Sequence, residues 1–350
     1  MGSRTGLNLD YVSLAELEGA RWAGVIGVAT FNGTRLAHGP SGLALDATVP
    51  VAEVKTPVLG NSGGLCEVWR TQQKVESGTR GSVRYARTSG MLFGCISVPE
   101  SNDASATAAE QTPLYRATER AYGEILGTLD ALGYGHLIRV WNYVPEINRD
   151  THGTERYRQF NAARQTALLA SGRPVTGNVS AACALGAAVG SPLVVYFLAS
   201  QNAPSFVENP RQVSAYNYPP KYGARSPVFS RATVLHEPDG MTLFISGTAS
   251  IVGHRTIHAG DAAAQTRETL TNIEALLTEA NRVTGTGEFT LESLACKVYV
   301  RDPSDLPVIQ AELSAALGPR ARPVYLQADI CRRDLDVEIE ATAMVDSTTA

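Results

Sequence analysis

Two glutamates near the C-terminus are placed by their pattern for proton-transfer chemistry. Residues 335–343 alternate strictly between apolar and other side chains, which is typical of a half-buried β-strand. This period of two directs Val337 and Ile339 to the core and Glu338 and Glu340 to the opposite face. A carboxylic acid that a poorly solvated pocket keeps protonated can act as a general acid. The alternative, which the pattern alone favours, is an edge strand with two solvated glutamates.

A candidate carboxylate-binding group lies in a helix predicted to begin at Thr154 and to run to about Leu169. Tyr157, Phe160 and Arg164 lie at positions i, i+3 and i+7 and therefore share one helix face. An arginine among aromatic side chains can hold a carboxylate through two parallel hydrogen bonds. The alternative is an arginine whose stem lies along the core edge while its charge stays in water.

Other residues carry weaker chemical signals. Gly247 lies inside a predicted strand, where glycine marks either a close approach to a ligand or a β-bulge. Cys331 precedes Glu338 by seven residues, and a lone cysteine is more often a packing residue than a reactive one. His254 and His258 are four residues apart between glycines, and no third ligand is evident. We therefore predict a surface loop there and no metal site.

The elements that must position these residues form a repeated pattern. Residues 82–200 and 228–345 each show the order β-α-β-α-β-β, read from apolar alternation and helical spacing. WNYV at 141–144 and KVYV at 297–300 match in position and pattern. We therefore predict a duplicated α/β domain, whereas the glycine-rich, strand-like residues 1–80 show no copy.

The two copies differ where the glutamates lie. Aligning residues 194–199 with the last strand places Val195 opposite Glu338. The same alignment places Phe197 opposite Glu340. The first copy has therefore lost both acids, as expected if only one site stays catalytic. This difference favours a functional acid over a solvated edge strand.

The second copy resembles the Rid/YjgF family of small trimeric domains. The likeness is carried by LFISGTAS at 243–250, AAAQTRETLTNIEALL at 262–277, LACKVYVRDPSDLPVI at 294–309 and DVEIEATA at 336–343. It covers about a third of the chain and implies a mixed β-sheet backed by two helices, with sites at interfaces between domains. Arg322 lies near the place of that family's carboxylate-binding arginine.

The whole chain resembles the chorismatases, which contain such domains. This likeness is carried by ERYRQFNAARQTAL at 155–168, SAYNYPPKYGARSP at 214–227 and QADICRRDLDVEIEA at 327–341. Chorismatases release pyruvate from chorismate and leave a dihydroxycyclohexadienoate or a hydroxybenzoate. The resemblance therefore implies an enzyme whose small-molecule substrate is chorismate, with no metal and no organic cofactor.

The resemblance makes Glu338, rather than Glu340, the general acid. Chorismate carries its pyruvate as an enol ether, whose cleavage begins with protonation of the terminal methylene carbon. Carbon accepts protons slowly, so this step requires an acid that stays protonated. Cys331 and Gly247 resemble the cysteine and the small pocket residue of chorismatases that form 3-hydroxybenzoate, in which the ring hydroxyl displaces the pyruvyl oxygen. The hydrolytic subtype has a bulkier pocket residue and lacks the cysteine.

Chorismate also carries two carboxylates, for which the resemblance implies arginine and tyrosine partners. The predicted substrate-binding residues are Tyr157, Arg164, Tyr218, Arg231, Gly247 and Arg322. Arg322 would serve only if the Rid-type carboxylate site is kept. Tyr216 and Tyr222 have weaker claims, because tyrosines in a proline-rich connection usually pack.

Composition argues against several other classes of protein. The length of 350 residues suggests about two domains. The net charge of -4 gives no positive excess for nucleic-acid binding, and no apolar run is long enough for a membrane span or a signal peptide. Five scattered cysteines without a CxxC pair argue against a disulfide frame and for the reducing cytoplasm. We expect no nucleic-acid or membrane partner, and either a monomer or a trimer.

These observations combine into one division of the chain and one leading function. We predict a strand-rich segment at 1–81, Rid-like domains at 82–200 and 228–350, and an aromatic-rich connection at 201–227. The leading function is a chorismatase that forms 3-hydroxybenzoate. The alternatives are a chorismate hydrolase, a Rid-type imine deaminase that depends on Arg322, and a non-catalytic metabolite-binding protein.

Overall fold

Strands dominate this protein, and helices cover the outer faces of its sheets. The computed structural model describes residues 6–18, 22–31, 48–60, 64–101 and 112–346. The N-terminal segment contains β1 (Asn8–Val12), α1 (Leu14–Glu18), β2 (Val25–Thr30), β3 (Val51–Glu53), β4 (Val58–Leu59) and β5 (Cys66–Arg70).

The first repeat follows the predicted order of elements. It contains β6 (Glu76–Arg80), β7 (Val83–Arg87), β8 (Met91–Val98), α2 (Pro113–Leu132), β9 (His136–Pro145), β10 (Asp150–Thr151), β11 (Thr154–Glu155), α3 (Arg156–Ala170), β12 (Ala181–Ala187) and β13 (Leu193–Ser200). Thr112 caps α2 by accepting a hydrogen bond from the backbone N–H of Tyr115. Helix α3 begins at Arg156 rather than at the predicted Thr154, because Thr154 first pairs with β10.

The connection and the second repeat complete the chain. They contain β14 (Ser205–Val207), β15 (Ala232–Glu237), β16 (Gly240–Ala249), β17 (Ile251–Val252), β18 (Arg255–Thr256), α4 (Ala262–Thr284), β19 (Ala295–Val300), α5 (Leu306–Leu317), β20 (Val324–Gln327) and β21 (Val337–Asp346). Asp261 caps α4 by accepting a hydrogen bond from the backbone N–H of Ala264. Among the described residues, no helix is both long and apolar enough to cross a membrane.

Three sheets share one topology. The strand order is β12-β9-β13-β8 in the first repeat, β20-β19-β21-β16 in the second and β3-β2-β5-β1 in the N-terminal segment. In each sheet the first two strands are parallel and the following pairs are antiparallel. The predicted α/β fold of duplicated Rid-like domains, each a mixed sheet backed by two helices, is confirmed. Residues 1–80 show no copy in their sequence pattern, yet their described part has the same strand order as the two repeats.

The faces of the three sheets that lack helices meet in one central core. Trp69 from the N-terminal sheet lies with its ring centroid 5.8 Å from that of Trp141 in the first repeat and 5.9 Å from that of Phe244 in the second. Each large apolar side chain buried there contributes about 1.5–3 kcal/mol to folding. Separate cores lie between each repeat's sheet and its helices, and contain Ile125 of α2 and Ile273 of α4.

The last strands of the two repeats align one residue away from the predicted register. Glu338 pairs with Tyr299 in the second repeat, and Val194 pairs with Tyr143 in the first. Because Tyr143 and Tyr299 are the equivalent third residues of WNYV and KVYV, Val194 is the counterpart of Glu338. The predicted counterpart, Val195, was wrong, since a slip of one residue turns a side chain to the opposite face of a sheet.

The same correction applies to the second glutamate. Glu340 pairs with Lys297, and Tyr196 pairs with the equivalent Trp141, so Tyr196 and not Phe197 is the counterpart of Glu340. Phe197 lies in the helix-covered core of the first repeat, whereas Tyr196 lies in the central core. The inference that the first copy lacks both acids still holds.

The sheets extend across the predicted segment boundaries. The hairpin β6–β7 spans the limit proposed at residue 81, and β14 of the connection pairs with β15 of the second repeat. Strand β4 of the N-terminal segment pairs with β20. The exact domain limits therefore stay a prediction.

Candidate active site

A cavity of about 220 Å³ lies between the two repeats, beside the connection that joins them. A smaller cavity of about 30 Å³ shares part of its wall. Six residues line both cavities: Tyr157, Pro227, Phe229, Gly247, Cys331 and Glu338. Tyr218 and Arg231 line the larger cavity, and Arg164 lines the smaller one. The structure therefore brings together every predicted site residue except Arg322.

Glu338 presents its carboxyl group to both cavities from the beginning of β21, where it is the second residue. Its backbone pairs with Tyr299 on one side and with Ala249 on the other, so the strand holds it firmly. The residue is only 3% exposed. Burial, followed by the negative charge of Glu340, raises the pKa of the Glu338 carboxyl from 4.5 to about 8. The carboxyl is therefore mostly protonated at neutral pH and can donate a proton.

Gly247 lies against Glu338 at an irregularity in β16. The pairing of β16 with β21 shifts register between Ile245 and Thr248, which is a β-bulge. A Cβ atom at Gly247 would lie 1.9 Å from Oε1 of Glu338 and 3.3 Å from Cβ of Cys183. The β-bulge interpretation of this glycine is therefore confirmed, and its missing side chain leaves room for the Glu338 carboxyl.

Glu340 has a different environment from Glu338 on the same face of β21. It accepts hydrogen bonds from Arg139 Nη2 at 2.5 Å and Trp141 Nε1 at 2.8 Å, and pairs with Lys297 Nζ at 2.8 Å. Burial alone would raise its pKa, but Lys297 and Arg139 outweigh burial and hold the pKa below the usual 4.5. The alternative of two solvated glutamates was therefore wrong, since both are buried and only one is paired with cations.

Arg231 and Tyr218 form the predicted pair on the wall of the larger cavity. Arg231 Nη2 donates hydrogen bonds to Tyr218 Oη at 2.8 Å and to the carbonyl oxygen of Val213 at 2.7 Å. Its guanidinium also lies 5.2 Å from the ring centroid of Phe229. Both of these hydrogen-bond acceptors are neutral oxygens, so the cation can still bind an anionic ligand.

The predicted face of α3 forms the wall of the smaller cavity. Tyr157, Phe160 and Arg164 all line it. Arg164 is buried, donates from Nη1 to the carbonyl oxygen of Val228 at 2.5 Å and lies 5.2 Å from the ring centroid of Tyr122. The alternative of an arginine at the core edge with its charge in water was therefore wrong.

Cys331 lies in the loop before β21 and lines both cavities. Burial, followed by the nearby Glu338 carboxylate, raises the pKa of its thiol to about 12. The thiol is therefore protonated at neutral pH, and it is not an activated thiolate in the resting enzyme.

Arg332 and Tyr222 belong to the cavity wall, although the sequence pattern gave them little weight. The Arg332 guanidinium lies 4.2 Å from the ring centroid of Tyr222 and 5.1 Å from that of Tyr218. Both Arg332 and Tyr222 donate hydrogen bonds to the carbonyl oxygen of His254, at 3.0 and 2.6 Å. The proximity of Arg332 to Cys331 in the sequence is the only signal that could have indicated its position.

Arg322 does not reach this cavity, which corrects its predicted role. It is exposed and donates hydrogen bonds to the carbonyl oxygens of Pro319 and Ala321 in its own loop. The reason is topological, since Arg322 lies just before β20, whereas Glu338 lies on β21, which pairs with β16 away from β20 in the order β20-β19-β21-β16. In the described ranges, no group of three His, Cys, Asp or Glu side chains is arranged to hold a metal ion.

The site therefore combines a neutral carboxylic acid with cationic and aromatic walls. Such a cavity can bind a small anion with unsaturated or ring character and donate a proton to it. The acid comes from the second repeat, whereas Tyr157 and Arg164 come from the first. Neither repeat could form the site alone.

Comparison with known proteins agrees with this geometry. Residues 67–199 match the family described as Chorismatase FkbO/Hyg5-like, N-terminal. A 3-hydroxybenzoate synthase of Streptomyces hygroscopicus is 36% identical over 320 residues, which cover 88% of this chain and 87% of that protein. A chorismatase of the same organism is 40% identical over 280 residues, or 78% of each chain. A crystal structure of a chorismatase has a TM-score of 0.84 and 32% identity, and the match covers 98% of this chain and 100% of that one. The chain belongs to the chorismatase family.

Proposed function

We propose that this protein releases pyruvate from chorismate and forms 3-hydroxybenzoate, with Glu338 as the general acid. The observation that carries the proposal is the buried Glu338 carboxyl, which faces the cavity between the repeats and whose pKa is raised to about 8. An acid in this state matches the first step required by an enol ether, which is slow protonation of carbon at neutral pH.

Protonation by Glu338 starts a rearrangement within chorismate that releases pyruvate. Glu338 donates its proton to the terminal methylene carbon of the enolpyruvyl group, and the adjacent carbon becomes an oxocarbenium ion. The neighbouring ring hydroxyl attacks the ring carbon that bears the ether, and the ring–oxygen bond breaks to release pyruvate. The hydroxyl proton returns to the Glu338 carboxylate, and the oxygen now bridges the two ring carbons as an epoxide. Its bond to the carbon that originally bore the hydroxyl then breaks, the other bridged carbon loses its ring proton and the oxygen takes up a proton, so the ring aromatises to 3-hydroxybenzoate. No water is consumed.

The arginines have the role of holding the two substrate carboxylates. Arg231 with Tyr218 binds one, and Arg164 with Tyr157 binds the other from the first repeat. These groups line walls on either side of Glu338, so a dianion held between them would lie against the acid. Arg332, with its guanidinium on the rings of Tyr218 and Tyr222, supports the aromatic wall.

Gly247 and Cys331 support the aromatic product over the hydrolytic one. Both lie beside Glu338, and both match the residue types that the resemblance associates with chorismatases that form 3-hydroxybenzoate. A Rid-type imine deaminase is disfavoured, because the arginine on which it would depend, Arg322, is exposed outside the cavity.

The test is to incubate purified protein with chorismate, measure pyruvate by coupling to lactate dehydrogenase, and identify the ring product by its ultraviolet spectrum after chromatography. We expect pyruvate and 3-hydroxybenzoate in equal amounts. Glu338→Gln should lower the rate by about 10²- to 10⁴-fold, whereas Glu274→Gln, at an exposed helix position, should not. Absence of pyruvate above the uncatalysed background refutes the function, and a dihydroxycyclohexadienoate product would identify a hydrolase instead.

The proposal extends to the cellular location of the enzyme and to its oligomeric state. We place the enzyme in the cytoplasm, where its five free cysteines stay reduced. Three sheets already pack around one centre within a single chain, so of the two predicted states, monomer and trimer, we favour the monomer.

A further inference from the structure

Four charged side chains meet at the centre of the molecule, each buried to at least 96%. They are Glu67 on β5, Arg139 on β9, Lys297 on β19 and Glu340 on β21. Lys297 Nζ contacts Glu67 Oε2 and lies 2.8 Å from Glu340 Oε1, while Arg139 Nη2 lies 2.5 Å from Glu340 Oε2. We call this group the central charge network, and it joins all three sheets.

Neutral donors complete the central charge network. Tyr196 Oη accepts a hydrogen bond from Lys297 at 3.0 Å and donates one to Glu67 at 3.1 Å. Trp69 and Trp141 each donate from Nε1 to a carboxylate oxygen of Glu67 or Glu340, both at 2.8 Å. Every carboxylate oxygen therefore has a partner, and two anions balance two cations.

Glu338 lies directly beside this balanced group but outside it. It is two residues from Glu340 on the same face of β21, about 7 Å along the strand. No hydrogen bond to its carboxyl is found in the described part of the chain. A fifth buried charge at Glu338 would therefore lack a counter-ion in the network, and unpaired buried charges are costly.

Outside the network, no cation of the described residues forms an ion pair with Glu338. The titratable and charged groups that face it are Tyr157 and Arg164 from α3, Arg139 from β9, Cys183 from β12, Tyr218 and Arg231 before β15, Arg301 after β19, Cys331 and Arg332 from the preceding loop, and Glu340. Arg301 pairs with Asp329 at 2.5 Å. Arg231 and Arg164 donate hydrogen bonds to neutral oxygens, and the proposed function assigns both to the substrate carboxylates.

We infer that the central charge network is a positioning device that keeps Glu338 in its acid form, because it fixes an anion at Glu340 and pairs both of its own cations with Glu340 and Glu67. Glu340, Lys297, Arg139 and Glu67 do not touch the substrate, and they act through Glu338. This inference rests on the proposed function, in which Glu338 must be protonated to act.

The inference predicts how charge changes in the network move the pH dependence of the reaction. Glu340→Gln leaves the network with one excess positive charge, which favours the ionised form of Glu338. The single-turnover rate of pyruvate release declines as Glu338 loses its proton. The pH at which this decline occurs should therefore be about 1–3 units lower in Glu340→Gln than in the wild type. The double variant Glu340→Gln with Lys297→Met restores the balance, so its profile should return to within about one unit of the wild type.

Tyr196→Phe is the matched control. It removes two hydrogen bonds from the same network without changing its charge, so it should leave the position of the profile unchanged even if the rate falls. Equal shifts in Tyr196→Phe and Glu340→Gln would refute the electrostatic account. An unshifted profile in Glu340→Gln, or a double variant as displaced as the single one, would also refute it.

Infrared titration tests the inference without substrate turnover, and a second variant is available if the first does not fold. The carboxylic-acid band of Glu338 is identified as the band lost in Glu338→Gln, and its pH titration needs no substrate. If Glu340→Gln does not fold, Glu67→Gln removes the same charge from a different sheet and should shift the band in the same direction. A wild-type Glu338 that is ionised at neutral pH overturns the inference, whereas failure to consume chorismate overturns only the proposed function.

Discussion

Replacing Glu338 by glutamine should raise the free energy of unfolding of the protein while it lowers the rate of pyruvate release. In the unfolded chain this carboxyl titrates near 4.5, whereas in the fold its pKa is about 8. Between these values the folded protein holds a proton that the unfolded chain releases, so stability falls as pH rises. At about 1.4 kcal/mol per pKa unit, the loss reaches about 3 kcal/mol at pH 7 and about 5 kcal/mol above pH 9. Below the unfolded pKa of 4.5 both states are protonated and nothing is lost.

Glu338→Gln has the same shape and cannot ionise, so it escapes this cost. Its free energy of unfolding should exceed that of the wild type by about 3 kcal/mol at pH 7, and the difference should shrink steadily towards about pH 5. Urea denaturation at a series of pH values measures it. Glu274→Gln, an exposed change in α4, should show no such pH-dependent gain. A Glu338→Gln protein no more stable than the wild type, or a gain independent of pH, would refute the raised pKa.

Three further predictions test the walls of the cavity. Gly247→Ala places a Cβ atom 1.9 Å from Oε1 of Glu338, which must move by about 1 Å, so steady-state kinetics should show pyruvate release slowed by about 10- to 100-fold. Arg231→Lys loses the planar fork and should raise KM for chorismate by about tenfold or more, with the circular dichroism spectrum unchanged. Arg322→Ala should change kcat/KM by less than about twofold, because this side chain lies outside the cavity. Wild-type rates in the first, a wild-type KM in the second or a large loss in the third would contradict the assigned geometry.

The sequence carries much of this site in short-range patterns. Strict alternation placed Glu338 on the face opposite Val337, and helical spacing placed Tyr157 and Arg164 together. Both patterns depend only on the fixed periods of strand and helix, which tertiary packing did not alter here. Pairing Tyr218 with Arg231 required the family resemblance, because the connection has no regular period.

Other features depend on contacts between distant segments and have no local signal. Lys297 and Glu67 are 230 residues apart, so neither predicts the other. The bulge near Gly247 and the register of β21 are set by neighbouring strands. The sequence alignment of the last strands of the two repeats was one residue out of register, and it therefore selected Val195 instead of Val194 as the counterpart of Glu338. The N-terminal sheet has the same strand order, but the helix described in that segment, α1, is five residues long, which is too short to show a helical period.

The loss of the second acid from the first repeat keeps the charges at the centre of the fold balanced. Equivalent faces of the repeats meet at one centre, where Tyr196 occupies the position that Glu340 has in the second repeat. A second glutamate at that position would bring a third carboxylate to a group with two cations, and an unpaired buried charge costs several kcal/mol. The neutral tyrosine hydroxyl instead bridges Lys297 and Glu67. The same asymmetry that balances the centre therefore leaves Glu338 without an ion-pair partner in the central charge network.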